Sequence, residues 1–123
     1  MTVLLVLAGG AVGAPLRYLT DLFVARHHDS VFPWGTWLVN VAGSLVLGVT
    51  AGLVDTAGGP DWVLTLVGTG FCGALTTFST FSYETLRLVE DGSHVAAVAN
   101  VLASVGAGLA AVGGGWWLGT VLG

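Results

Sequence analysis

Four long apolar stretches, set so close that little chain is left between them, constrain this fold more than any other feature. They run from about Val3 to Val24, Trp34 to Val54, Trp62 to Leu88 and Val95 to Leu122. About 20 apolar residues wound as a helix cross a hydrocarbon core of about 30 Å. Lipid offers no partner to a bare backbone N–H or C=O, so each crossing must satisfy its hydrogen bonds internally, as a helix does. Four such segments use up a 123-residue chain and leave nothing for a soluble domain. The expectation is an all-α membrane protein, a single transmembrane domain over residues 1–123. Composition agrees: 54% of residues are hydrophobic and 8% charged, against about a quarter charged in soluble domains. Trp34 and Trp37, and later Trp116 and Trp117, stand where a headgroup-level aromatic belt belongs. The N-terminus lacks the basic region and cleavage site of a signal peptide, so the first segment is expected to be retained.

Several function classes drop out early. The net charge of -4 comes with no basic cluster, so no nucleic acid partner is expected. Cys72 is the one cysteine and is expected to pack as a small apolar side chain. No nucleotide-binding motif, nucleophile arrangement or metal cluster points to an enzyme or a pump. His27 and His28 fall in an expected loop, Arg26 to Ser30, and His94 in another, Glu90 to His94. Adjacent histidines diverge on any regular backbone, so solvated loop residues are expected rather than metal ligands.

The third segment holds the anomaly. From Gly70 to Glu84 it carries glycines at 70 and 73, a run of hydroxyls, and Phe78 and Phe81 three residues apart. Glycines and hydroxyls at membrane depth belong where backbone faces protein, water or an ion. The segment is also too long for one straight crossing. It reads as a broken transmembrane helix that builds an ion pathway. Gly73 can take backbone angles closed to other residues, so the interruption is expected near residues 73–76, with carbonyls turned towards a bound cation. On a helix Phe78 and Phe81 share a face. Thr76, Thr80 and Glu84 would form a row beside them.

Polar residues elsewhere have competing explanations. Arg17 lies inside the first segment with Pro15, expected to kink it, and with Asp21 one turn on. It is either a snorkelling or locally paired side chain, or an intramembrane arginine that draws anions to a vestibule or braces a polar centre. Asn40 is either interhelical glue or a double donor to a small anion. Glu84 pairs with Arg87 on the surface or lines a vestibule. Gly9 with Gly13, and Gly48 with Gly52, are faces for close helix approach. Asp61 follows the turn begun at Asp55 and is placed to cap the third helix. In the last segment Asn100, Ser104 and Gly108 recur every four residues, one stripe for packing or for polar contact.

The stretch Gly73-Ala74-Leu75-Thr76-Thr77-Phe78-Ser79-Thr80-Phe81-Ser82 closely resembles the signature of the Fluc/CrcB family of fluoride channels. Gly9-Gly10-Ala11-Val12-Gly13 with Arg17-Tyr18 resembles that family's first-helix motif. Gly35-Thr36, Val39-Asn40 and Gly43-Ser44 resemble its second. The resemblance covers nearly the whole chain and is weaker in the loops and the fourth segment.

The resemblance implies a fluoride-selective channel that passively exports cytoplasmic fluoride across the cell membrane, built as an antiparallel, dual-topology dimer. It implies a fluoride pathway along Asn40, Phe78, Phe81, Ser79, Thr80 and Ser104, with Arg17 and Glu84 as vestibule or structural polar groups. It implies a structural sodium ion at the dimer interface, held by the backbone carbonyls of Gly73 and Thr76 from each chain. Asn100 and Gly108 correspond to a polar track beside the pore, although Gly108 brings no hydroxyl. These residue types suit the ion. Fluoride is strongly hydrated and needs replacement donors, which Asn40, Ser79, Thr80 and Ser104 offer, or the electropositive ring edges of phenylalanine. Arg26 and Arg87 favour the first and third loops in the cytoplasm. A bias resting on so few residues suits one chain inserting both ways, with an oppositely oriented homologous chain as the other possible partner. The competing function is a small multidrug-resistance-type, proton-coupled exporter, for which a carboxylate deep in the first helix is expected; Val3 to Tyr18 holds none.

Overall fold

A computed structural model describes residues 1–27 and 32–123. Among them the chain is helical almost throughout. The elements are α1 (Thr2–His27), α2 (Trp34–Ala57), α3 (61–75), α4 (Phe78–Glu90) and α5 (His94–Leu122). α3 and α4 are two halves of one apolar span, Asp61–Glu90. With Thr2–His27, Trp34–Ala57 and His94–Leu122 it makes four spans long and apolar enough to cross a membrane.

Burial runs opposite to that of a water-soluble bundle. Leu4, Leu7, Leu102 and Leu109 are exposed, while the buried positions of α1 are Gly9 and Gly13 and those of α2 include Gly43, Gly48 and Gly52. A leucine gains little by leaving acyl chains for protein, so contact between membrane helices goes to small residues that let backbones touch. α2 and α5 meet this way. A Cβ on Gly48 would strike the Val112 carbonyl and one on Gly52 the Trp116 carbonyl. From the other side, Gly115 faces the Leu45 carbonyl and Gly119 the Val49 carbonyl. Both glycine pairs singled out in the sequence are packing faces.

α1 packs against α3 by the same device. A Cβ on Gly9 would collide with the Leu66 carbonyl, and one on Gly13 with the Phe71 carbonyl. The facing part of α3, Leu64–Cys72, is wound as a wider π-helix. Such winding is rare and concentrates at functional sites. Gly68 and Gly70 lie inside this stretch and are buried. A Cβ at Gly70 would come within 3.0 Å of the Leu5 and Val6 carbonyls.

Helix ends extend past the apolar stretches. Arg26 and His27 form the last turn of α1 instead of a loop; His28, Asp29 and Ser30 lie outside the described residues. The His27 Nδ1 bonds the Phe23 carbonyl at 2.8 Å and its ring stacks on Phe23. α2 continues through Asp55 to Ala57, ending where Gly58 adopts φ 68° and returns its N–H to the Val54 carbonyl. Asp61 is not a cap: it is the first residue of α3, with Pro60 at the cap position and no side-chain cap bond. His94 likewise opens α5, and the last loop shrinks to the turn around Gly92, φ 83°. At Gly58, Pro60 and Gly92 the reason is the same. Polarity marks where lipid ends, but the hydrogen-bonded ladder runs on until a left-handed glycine or a proline stops it. Pro15 lies within α1.

Candidate ion pathway

The interruption between α3 and α4 organises the site, and it falls at the far edge of the expected 73–76 stretch rather than at its glycine. Gly73 is helical, φ -62° and ψ -36°. Thr76 (φ -82°, ψ 162°) and Thr77 (φ -150°, ψ 124°) are the extended residues. No residue here needs a glycine-only conformation. Two adjacent β-branched residues favour extended backbone, and their hydroxyls offer the main chain alternative partners. Thr76 Oγ1 donates to the Cys72 carbonyl at 2.8 Å. Thr77 Oγ1 accepts from the Thr80 N–H at 3.2 Å, capping α4. The row expected through Thr76, Thr80 and Glu84 is therefore cut: Thr76 belongs to the far side of the break, while Thr80 and Glu84 remain one turn apart on α4.

Side chains from α1 and α2 hold the break open. Asn40 pairs with the Thr77 backbone at both ends of its amide: Nδ2 donates to the Thr77 carbonyl at 3.0 Å, and Oδ1 accepts the Thr77 N–H at 2.7 Å. In a continuous helix that N–H would bond the Gly73 carbonyl. Asn40 thus replaces a helical hydrogen bond and turns the Gly73 carbonyl loose. Arg17 reaches from α1 to donate to the Thr76 carbonyl at 3.3 Å. Gly43 supplies room, since a Cβ there would run into the Thr76 methyl.

A cavity of about 340 Å³ opens beside the break, lined by Asn40, Ser44, Gly73, Thr76, Thr77 and Phe78 among others. Phe78 is 79% exposed, and its ring centroid lies 6.0 Å from that of Phe81, which is half-buried. Ser79 is exposed, with its Oγ 3.4 Å from Thr77 Oγ1. A second cavity, about 400 Å³, is lined by Thr80 and Glu84 of α4 together with Thr36 and Asp21. The Glu84 carboxylate turns to α2, where it accepts a short hydrogen bond from Thr36 Oγ1. This replaces the local pair with Arg87 that the sequence offered.

Asn40, Gly73, Thr76 and Phe78 are thus gathered at one cavity, and Thr80 and Glu84 at the next. Ser104 and Asn100 are not among the residues lining either. Ser104 Oγ donates to Asn100 Oδ1 at 3.2 Å, and Asn100 Nδ2 donates to Thr85 Oγ1 at 2.8 Å. Gly108 faces Ser44, with a Cβ landing 3.7 Å from its hydroxyl. Sequence reasoning gave no role to Thr36, Thr77 or Thr85. Thr77 had a local signal, a hydroxyl residue just ahead of a helical run. Thr36 and Thr85 had none, because their partners are 48 and 15 residues away.

Comparison with known proteins bears on what this arrangement does. Residues 4–116 match the family model described as CrcB-like protein, Camphor Resistance (CrcB). A protein of Frankia casuarinae named fluoride-specific ion channel FluC 1 is 59% identical over 120 residues, covering 92% of this chain and 93% of that protein. One of Streptomyces avermitilis with the same name is 55% identical over 122 residues, covering 99% and 98%. The Rhodococcus jostii protein named fluoride-specific ion channel FluC 2 is 49% identical over 119 residues, covering 97% and 96%. The relatives bear the name of an ion channel, not of an exporter. On this match along nearly its whole length, the chain belongs to the CrcB family.

Proposed function

We propose that this multi-pass membrane protein is a fluoride-selective channel that lets cytoplasmic fluoride leave down its gradient across the cell membrane. It is not an enzyme. The observation that carries the proposal is the clamped interruption at Thr76–Thr77, where a membrane helix gives up its own hydrogen bonds beside a cavity that Asn40, Ser44, Thr76, Thr77 and Phe78 help to line. A helix is broken in lipid only where its freed groups meet protein or line a path. The names of the relatives supply the ion.

Within that frame the residues divide the work. Asn40 spends one N–H on Thr77; an amide carries two, and the second serves the ion. The hydroxyls of Ser79 and Thr80 and the ring edges of Phe78 and Phe81 replace water around fluoride as it passes. Ser104, whose hydroxyl is held by Asn100 and which lines neither cavity, braces the path from behind. Arg17 draws anions towards the break and holds its carbonyl. Glu84 and Thr36 shape the vestibule beyond.

One chain encloses only part of such a path, because the cavity opens to the surface where Phe78 is exposed. A second copy in antiparallel orientation closes it. Sodium suits the seam. The Gly73 carbonyl has lost its helical donor to Asn40, and the Thr76 carbonyl keeps a lone pair beside Arg17; carbonyl oxygens are hard donors of the kind such cations take. Two carbonyls from each copy would hold the ion, which supplies a fixed positive charge bracing the two breaks.

The test is anion efflux from liposomes containing the purified protein, comparing fluoride with chloride at equal internal and external pH. Fast fluoride release with negligible chloride release, and with no need for a pH gradient, is the expected result. Equal release of both ions, or release only under a proton gradient, would remove the assignment.

A further inference from the structure

The mechanism so far makes no use of the most deeply buried polar side chain. Asn100 on α5 is 1% exposed. Its amide donates to Thr85 Oγ1 on α4 at 2.8 Å and accepts from Ser104 Oγ at 3.2 Å. Thr85 Oγ1 passes the chain on, donating to the Phe81 carbonyl at 2.8 Å. We infer that Asn100 and Thr85 are positioning residues, a buried strut that sets the roll of α4 about its axis and so aims the Phe78 and Phe81 rings at the ion path. The inference rests on the fluoride-channel reading and deepens it.

The need for a strut comes from the break. Extended backbone at Thr76 and Thr77 interrupts the helical ladder, so α4 does not inherit its orientation from α3 and must take it from lateral contacts. α4 makes two such polar contacts at neighbouring positions, Glu84 with Thr36 and Thr85 with Asn100. Neighbours on a helix point about 100° apart, so bonds in these two directions, to α2 and to α5, leave little freedom of rotation. Thr85 lies on the stripe that matters. Phe78, Phe81, Thr85 and Leu88 follow one another at spacings of three and four, on one helix face. Turning the Thr85 hydroxyl away from Asn100 therefore turns both rings.

Ser104 gives the strut its polarity. By donating to Asn100 Oδ1 it commits the amide oxygen to α5 and leaves Nδ2 to face Thr85. A buried amide that lost Thr85 would have no water to turn to, so rolling α4 costs a hydrogen bond in a dry place. This also accounts for an asparagine, which offers donor and acceptor together, on a helix made mostly of alanine, valine, leucine and glycine.

The experiment measures fluoride efflux per assembled channel, and the fluoride-to-chloride ratio, for the wild-type protein, Thr85→Val, Thr85→Ser, Asn100→Leu and the Thr85→Val/Asn100→Leu double variant. Thr85→Val and Asn100→Leu are each expected to slow fluoride by about tenfold or more and to lower the ratio. The double variant should be no slower than the slower single one, because both cut the same strut. Thr85→Ser keeps the hydroxyl and should stay near wild type. Should Asn100→Leu fail to assemble, Thr85→Val, which swaps a hydroxyl for a methyl, decides alone. Wild-type rate and selectivity in Thr85→Val, or losses that multiply in the double variant, would overturn the strut while leaving the channel intact. A wild-type protein that passes no fluoride would instead remove the reading beneath it, and the strut with it.

Discussion

Asn40 clamps the Thr77 backbone and, in the proposed pathway, also donates to the ion. From the sequence it was either a packing group or a donor to the ion; in the fold it is bonded twice to the Thr77 backbone, at about 1 kcal/mol net for each bond. Two substitutions separate the duties. Asn40→Leu removes both bonds and the donor, and is expected to abolish measurable fluoride efflux and to lower the thermal midpoint. Asn40→Asp can still accept from the Thr77 N–H but sets an oxygen against the Thr77 carbonyl, so efflux should fall while part of the stability remains. Equal stability of the two variants would mean that the clamp contributes nothing. Gly43→Val tests the same place from the side of volume. Its methyls would meet the Thr76 side chain, and overpacking a tight site costs about 1–3 kcal/mol. Slowed efflux from a folded protein is the expected outcome.

Among elements, α4 depends most on its surroundings. It is 13 residues long, near the length at which an isolated helix is marginal in water, and it starts from an extended linker. Its first turn is tied by the Thr77 cap, and capping threonines contribute about 1 kcal/mol. Thr77→Ala is therefore expected to loosen the first turn of α4, seen as faster amide exchange at Ser79 and Thr80, whereas Thr77→Ser should not. α2 and α5 behave differently because glycines bring their backbones into contact along two turns. Gly119→Leu, driven against the Val49 carbonyl, should separate these helices and leave protein that neither assembles nor conducts. A well-assembled, conducting Gly119→Leu variant would show that this contact is dispensable.

At the scale of the whole molecule, Phe78 is 79% exposed and the cavity beside the break opens to the surface, which a second copy would close in the proposed dimer. Efflux is therefore expected to follow the dimer: on dilution into excess lipid, conductance should fall in step with the fraction of chains that a short cross-linker captures as pairs. Conductance persisting where no pairs are captured would make one chain sufficient. Sodium is tested on the same assembly. If the proposed sodium ion is held between the Gly73 and Thr76 carbonyls of two copies, exchanging sodium for a bulky organic cation on both sides should weaken pairing and slow efflux together; unchanged pairing and efflux would remove the ion from the proposal.

Hydropathy, small-residue spacing and the run of glycines and hydroxyls marked four apolar segments, the glycine faces at Gly9, Gly13, Gly48 and Gly52, and a break in the third segment, because these depend on local composition and spacing. The break, expected near residues 73–76, falls at the far edge of that stretch, at Thr76–Thr77. Gly73 carried the visible signal, but two β-branched threonines and a partner on α2 made the extended stretch. The roles of Thr36 and Thr85 stayed hidden for a related reason. Thr85 keeps its local bond to the Phe81 carbonyl and accepts from Asn100 as well, while Thr36 donates to Glu84, and only the packing of distant helices supplies those distant partners. What sequence determined here is which segments enter lipid and where they can touch. Tertiary structure decided where the freed hydrogen bonds go, since in a dry medium every donor must find its acceptor somewhere, and that place is fixed by three-dimensional proximity.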